Sequence, residues 1–325
     1  MNNYRTRKVL LAAAVMVALG GARSASADEG HTPFLPGFTT GLPIAAAPPP
    51  GWYLNATLGS LTGTLQSGVG TGLPVTVQNA NQIGLLIYVP DFKLFGAQYY
   101  VAATDPHIFK NVDAFGAAYQ SNAFFNAIIS PVNLSWKLNN GWFVGAGLSV
   151  YLPTGYYQDQ PCGAGRCETL PSFANNFYTF EPNLAVSYLG NNWNITLNTV
   201  FDFNTLNTAT NYQSGSAVYF DATVAKKFGN WSLGVIGNYS RQFTNDTQNG
   251  IVVPSTGGVG APGNKFEHLM GGLYTAYDFG PTRLSVRYLN DFETQNDIKL
   301  RMFLVTLFTP LSTPEPSPVK TLITK

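Results

Sequence analysis

The chain is short of charge. Its 325 residues include 18 Lys and Arg and 17 Asp and Glu, so charged residues make up only 11%. Soluble domains carry about 25%, and a surface this poor in charge is a poor fit to cytosol. Long apolar runs are missing as well. A spanning helix needs about 20 consecutive apolar residues, and the one stretch that approaches this, Val9 to Gly20, is too short. Histidine is limited to His31, His107 and His268. No Gly-x-Ser-x-Gly motif occurs and no His or Cys pair has ligand spacing. A Ser-His-Asp hydrolase and a zinc site therefore both lack their parts. No cofactor motif is present, and the reading is of a protein that is not an enzyme. Disorder is excluded from the other side, because 22 Phe, 17 Tyr and 5 Trp are too many for a chain without a core.

What the chain does have begins with an address. Arg5, Arg7 and Lys8 precede the apolar run, and Ala25-Ser26-Ala27 supplies small residues in the A-x-A arrangement. Residues 1–27 are thus predicted to be a cleaved signal peptide. Its loss takes four cations with it and leaves a mildly acidic mature chain, which argues against nucleic acid as a partner. The only cysteines, Cys162 and Cys167, lie in Pro-Cys-Gly-Ala-Gly-Arg-Cys. Export to an oxidising space predicts a disulfide that staples this small loop.

Residues 28–50 are proline-rich and without period, ending Pro48-Pro49-Pro50. They are expected either to plug a lumen or to hang as a periplasmic tail. From Gly51 onward the chain alternates. Trp52, Leu54, Ala56 and Leu58 share one face; Ile83, Leu85, Ile87 and Val89 share another. Period two is the mark of strands. Twelve such segments are read, near 51–60, 81–90, 96–104, 124–137, 141–152, 177–189, 192–206, 216–228, 231–242, 266–279, 281–293 and 298–308, with a range of 10–14. Their connections are short and long in turn. The short ones carry turn residues such as Asn139-Asn140-Gly141. All five tryptophans (Trp52, Trp136, Trp142, Trp193, Trp231) fall at the short-turn end, with Tyr178, Phe203, Tyr239, Phe266 and Phe292 as candidates for an opposite girdle. Long loops at one end, short turns at the other and an aromatic girdle point to an all-β fold, a transmembrane antiparallel β-barrel of the bacterial outer membrane. The predicted barrel covers 51–308, with a periplasmic tail at 309–325, outer-membrane lipid around it and a monomeric state.

Several motifs then fall into a recognisable order. Ser130-Pro131 followed by Trp136, Tyr151-Leu152-Pro153-Thr154-Gly155, Phe180-Glu181-Pro182, Tyr212-Gln213-Ser214-Gly215 before Asp221, Gly263-Asn264, and Tyr277-Asp278-Phe279-Gly280 resemble the outer-membrane family named for involvement in the meta-pathway of phenol degradation. The resemblance spans residues 50 to 310. One departure is Asn126, where the family often carries Asp. The resemblance implies a channel for uptake of small hydrophobic or aromatic compounds. A non-specific small-solute porin, or a structural or surface-interaction barrel, is the alternative.

Parity assigns candidate lumen residues. Glu181, Asp202 and Asp221 are expected to face inward opposite Arg283, Arg287, Lys299 and Arg301, as a polarised constriction or a structural ion-pair network. Tyr53, Tyr88, Tyr100, Tyr151 and Tyr219 are the expected lumen aromatics. His268, sharing parity with Phe266 and Met270, is expected to face outward. Polar residues before Pro131 sit at even positions and after it at odd ones, so a one-residue bulge is predicted there. Pro182 removes a second ladder donor without a phase slip. With the small residues Gly145 and Gly147 between them, this sector is a candidate lateral gap.

Overall fold

A computed structural model describes residues 29, 32–67, 71–162, 165–169, 171–253 and 264–312. The predicted signal peptide, His31 and the tail from 313 onward lie outside the described residues. Twelve strands close into an antiparallel ring. They are β1 (Gly51–Ser67), β2 (Thr71–Val89), β3 (Ala97–Thr104), β4 (Ile128–Lys137), β5 (Trp142–Tyr151), β6 (Thr179–Tyr188), β7 (Trp193–Asn204), β8 (Ala217–Phe228), β9 (Trp231–Gln242), β10 (Glu267–Phe279), β11 (Thr282–Gln295) and β12 (Ile298–Ser312). β12 absorbs residues 309–312 of the predicted tail.

Closure comes from β1 and β12, which pair from Trp52 opposite Ser312 to Leu65 opposite Ile298. A closed ring leaves no edge, which is what hydrocarbon demands of a spanning sheet. The short turns use residues that tolerate positive φ, as at Asn140 (58°) and Gly141 (83°). Trp52, Trp142 and Trp231 are exposed at this end, where the aromatic girdle belongs. At the other end Tyr178, Phe203 and Phe292 are exposed, but Phe266 is 3% exposed and turned inward against Tyr219.

Two expected loops are strands. β1 and β2 run on together to Ser67 opposite Thr71, through residues 61–80 that read as a loop. Residues 107–114 and 117–124 form a further hairpin whose first strand pairs with Val75 to Gln82 of β2. β2 is therefore shared. Only its last stretch, Leu86 to Tyr88, pairs with β3, while its first half carries the hairpin. The four strands β1, β2, 107–114 and 117–124 make a curved shell that rises from the ring on the long-loop side.

The shell is inverted in polarity. Its outer face shows Ser60, Thr62, Gln78, Asn111 and Asp113 to solvent. Its inner face carries Leu61, Val77, Ile108 and Val112, buried or half-buried. A lipid-facing wall would show the reverse, so this part of the sheet stands above the hydrocarbon. The bulge at Pro131 is present. Pairing of β4 slips by one residue against β3 (Tyr100–Asn133, then Ala102–Ser130) and against β5 (Ile129–Val150, then Val132–Leu148).

Candidate functional site

The lumen holds a cavity of about 2120 Å³. Its lining reaches from Leu189 and Gly280 beside the short turns to Phe115 and Ile251 at the long-loop end. One side is apolar. Leu73, Val75, Val77, Ile83 and Leu85 of β2 all point into it and Ile108 and Val112 continue the surface, with Asn79, Asn81 and Lys110 as its polar interruptions. Alternation in β2 was legible in the sequence, but parity alone does not say which face is inner.

The other side is polar and is covered by residues 32–50. Glu29 sits among the long loops: its amide donates to Glu168 Oε2 (2.9 Å) and its carboxylate accepts from Asn207 Nδ2 (2.8 Å) and from Thr210. The chain then descends. Thr32 bonds the Tyr219 hydroxyl and Phe34 meets the Tyr219 ring edge-on at 4.8 Å. Ser135 Oγ donates to Ala45 O (2.6 Å), and the Tyr53 hydroxyl donates to Pro49 O (2.7 Å) close to the start of β1. Local turns shape the segment, such as Phe38 N to Leu35 O and Ala46 N to Pro43 O. Gly37 and Gly41 have φ near 80° and lie so close to Leu289 and Tyr274 that a Cβ would stand 2.8 and 2.7 Å from them. Proline fixes φ, so a Pro-rich strip without charged side chains suits a narrow lumen. The segment begins at the long-loop end, not on the periplasmic side where a tail would start.

The expected charge network takes a different form. Asp221 accepts from Gly37 N (3.1 Å), Thr39 N (2.8 Å), Thr39 Oγ1 (2.7 Å) and Asn238 Nδ2 (2.7 Å). Arg287, 1% exposed, donates to Phe38 O (2.5 Å), Thr40 O (2.9 Å) and Thr306 Oγ1 (2.9 Å). The acid and the base grip the same four residues from two sides instead of pairing with each other. Glu181 and Asp202 are buried on the inner wall. Arg283 lines the cavity near the short turns and is bound by Asp278, which also holds Lys227. Lys299 and Arg301 do not face the lumen. They are exposed and share parity with Phe303 and Leu307 on the outside. Their lateral neighbours are Thr64, Thr62 and Asn290, so they sit at a polar rim where outward cations meet water.

Of the expected lumen aromatics, Tyr53 is buried inside, and Tyr100, Tyr151 and Tyr219 line the cavity. Tyr88 is outside, 37% exposed, with its ring 4.6 Å from Trp52. His268 is inward and fully buried, 3.0 Å from Asp291 and from Asp297. The candidate gap is not open. β4, β5 and β6 remain paired past both prolines. A Cβ on Gly145 would meet Ala45 at 2.9 Å, and one on Gly147 would meet Asn133 and Asn183 at 2.5 Å. These glycines make room for the segment and for two asparagines. Asn126, the departure from the family motif, donates to Asn175 O (2.8 Å) and accepts from Gly155 N (3.3 Å).

Outside the ring, Cys162 and Cys167 are disulfide-bonded within a small hairpin. Asp159 of that hairpin is held below the ordinary carboxylate range by its hydrogen bond to Arg166. Burial pushes the Tyr157 hydroxyl up to about 12, beneath the loops that hold Glu29. Among the described residues no group of three His, Cys, Asp or Glu is placed to hold a metal.

The fold is matched by an outer membrane channel from Pseudomonas putida F1, with TM-score 0.65 and 13% identity over 82% of this chain and 97% of that one. Weaker likenesses are the translocator domain of the autotransporter NalP from Neisseria meningitidis (TM-score 0.48, 12% identity, 82% and 90% covered) and the monoaromatic hydrocarbon channel CymD (0.40, 10%, 82% and 90%). No curated protein matches the chain. The family model described as "Putative MetA-pathway of phenol degradation" matches residues 61–301, and the chain belongs to that family.

Proposed function

We propose that the protein is an outer-membrane channel for small hydrophobic or aromatic compounds, acting as a monomer and without catalysis. The observation that carries this is the mainly apolar inner face of β2 and its hairpin, with Leu73, Val75, Val77, Ile83, Leu85, Ile108 and Val112 interrupted by Asn79, Asn81 and Lys110. A water-filled porin has a polar interior; an apolar wall in the lumen takes apolar solutes out of water, at about 25 cal/mol per Å² covered. The name of the family points the same way. In this reading residues 32–50 are a plug that narrows the path and keeps hydrophilic solutes out.

The test combines uptake with conductance. Cells relying on this protein should take up a labelled monoaromatic, and Leu85→Asp with Val77→Asp should abolish that uptake while the barrel still folds. Planar-bilayer conductance should be small and should rise when residues 30–48 are deleted. Unchanged uptake in the double variant sinks the hydrophobic reading in favour of a general porin. Unchanged conductance in the deletion sinks the plug.

A further inference from the structure

Buried charge at the inner wall is answered at nearly every position. Asp221 has four donors, Arg287 three acceptors, and His268 lies between two carboxylates. Glu181 and Asp202 are the exception. β6 and β7 pair Phe180 with Phe203 and Asn183 with Val200, which places Glu181 opposite Asp202. The ladder lapses between these pairs, where Pro182 has no N–H to give. Side chains directly opposite on one face have Cβ atoms about 5 Å apart. Glu181 is 7% exposed and Asp202 0%. Glu181 Oε2 and both carboxylate oxygens of Asp202 have no hydrogen-bond partner. Thr32, the Phe34 amide and Glu181 itself lie within reach of Asp202, and Tyr151 within reach of Glu181, without closing a full hydrogen bond to Glu181 Oε2 or to either Asp202 oxygen. No Lys or Arg is among the groups that act on either carboxyl.

Two like charges, opposed and buried, cannot both remain ionised without compensation. Buried charges in proteins are paired or coordinate a metal. The surroundings supply more oxygen. Ser149 of β5 stands opposite Glu181, and its Oγ is 2.8 Å from Ser130 Oγ on β4. Glu181 opens on the water-accessible cavity. A donor set of carboxylates and hydroxyl, with no sulfur or imidazole, is the preference of hard cations, which complete their shell with water. Two negative charges match one divalent ion.

We propose that Glu181 and Asp202 form a binding site for a divalent, calcium-type cation, supported by Ser149 and by water from the cavity. The ion would neutralise the pair and brace the part of the segment around Thr32 and Phe34. This stands apart from the transport reading and survives its failure.

The experiment uses the full mature protein in detergent, stripped with chelator at near-neutral pH. Ca²⁺ is titrated by equilibrium dialysis. Tb³⁺ serves as a luminescent substitute, excited through tyrosine, since Tyr151 lies beside Glu181. The expected result is a single saturable site whose Tb³⁺ emission is displaced by Ca²⁺. Glu181→Gln and Asp202→Asn should each weaken binding about tenfold or more. Asp113→Asn, on the outer face of the shell, should leave it unchanged. Binding that persists in both carboxylate variants overturns the proposal. Wild-type protein also decides alone: no saturable uptake of either ion means that the pair holds a proton instead, whether or not the variants fold.

Discussion

Replacing Asp221 by Ala should free the middle of the lumen segment. The residue accepts three hydrogen bonds from Gly37 and Thr39. Hydrogen bonds to a charged group contribute about 1.5–3 kcal/mol each, and water replaces part of this on release, so the net loss is about 2–4 kcal/mol. At 1.4 kcal/mol per factor of ten, local opening becomes about 30- to 1000-fold more frequent. Hydrogen exchange of the peptide covering residues 32–48, in protein held in nanodiscs, reads this directly. Exchange of β2 and β3, which do not touch Asp221, serves as the internal control, with heat-modifiability on gels to confirm the closed barrel. Asp221→Asn keeps one acceptor oxygen and should fall between wild type and Ala. Arg287 still holds Phe38 O and Thr40 O, so Arg287→Met should loosen the same peptide. If Asp221→Ala leaves its exchange within about threefold of wild type, under 1 kcal/mol, the grip on residues 37–40 is not what retains the segment.

The Cys162–Cys167 disulfide closes so short a loop that its removal should cost about 2 kcal/mol or less; the double Ser variant should fold, and thiol reagent should not label unreduced native protein. Deleting Val132 in a Pro131→Ala background should remove the bulge and restore strict alternation, with Ser130 and Asn133 both still inward and Ser130 still beside Ser149; the heat-modifiable barrel should still form. In the disulfide hairpin, Asp159 has a depressed pKa through Arg166. That contribution is present above the ordinary Asp range and is lost as pH falls through the folded value. The protection of residues 159–168, taken relative to the intrinsic exchange rate at each pH, should therefore fall on acidification, and Arg166→Ala should abolish that pH dependence.

The twelve ring strands were legible because alternation, turn residues and tryptophan placement are local signals. Which face is inner was not. The notion that apolar means outward holds only within the hydrocarbon band. In β2 the apolar set Ile83, Leu85 and Ile87 faces the lumen, which put Tyr88 outside. At the rim the same notion sent Lys299 and Arg301 inward, although water waits on the outer side there. His268 was read outward with Phe266 and Met270, yet all three are buried inside. Residues 61–80 and 107–124 read as loops because their Ser, Thr, Gln and Gly content suits a turn as well as a strand whose outer face is wet. The contacts of residues 32–50 had no signal beyond prolines and the lack of charge, since they depend on Asp221, Ser135 and Arg287 far along the chain.

The path of the segment has a consequence for assembly. Glu29 is held by the outer loops, while Gly51 starts β1 at the opposite end, and β1 is one of the two strands that seal the ring. Once β1 and β12 have paired, Glu29 reaches the outer loops only by passing through a narrow tube already lined with side chains. The segment must therefore be laid down before the seam is zipped, with the wall folding around it as a mould folds around its core. A finished molecule carries Glu29 toward the outside of the cell and Ser312 toward the periplasm, on opposite sides of one membrane.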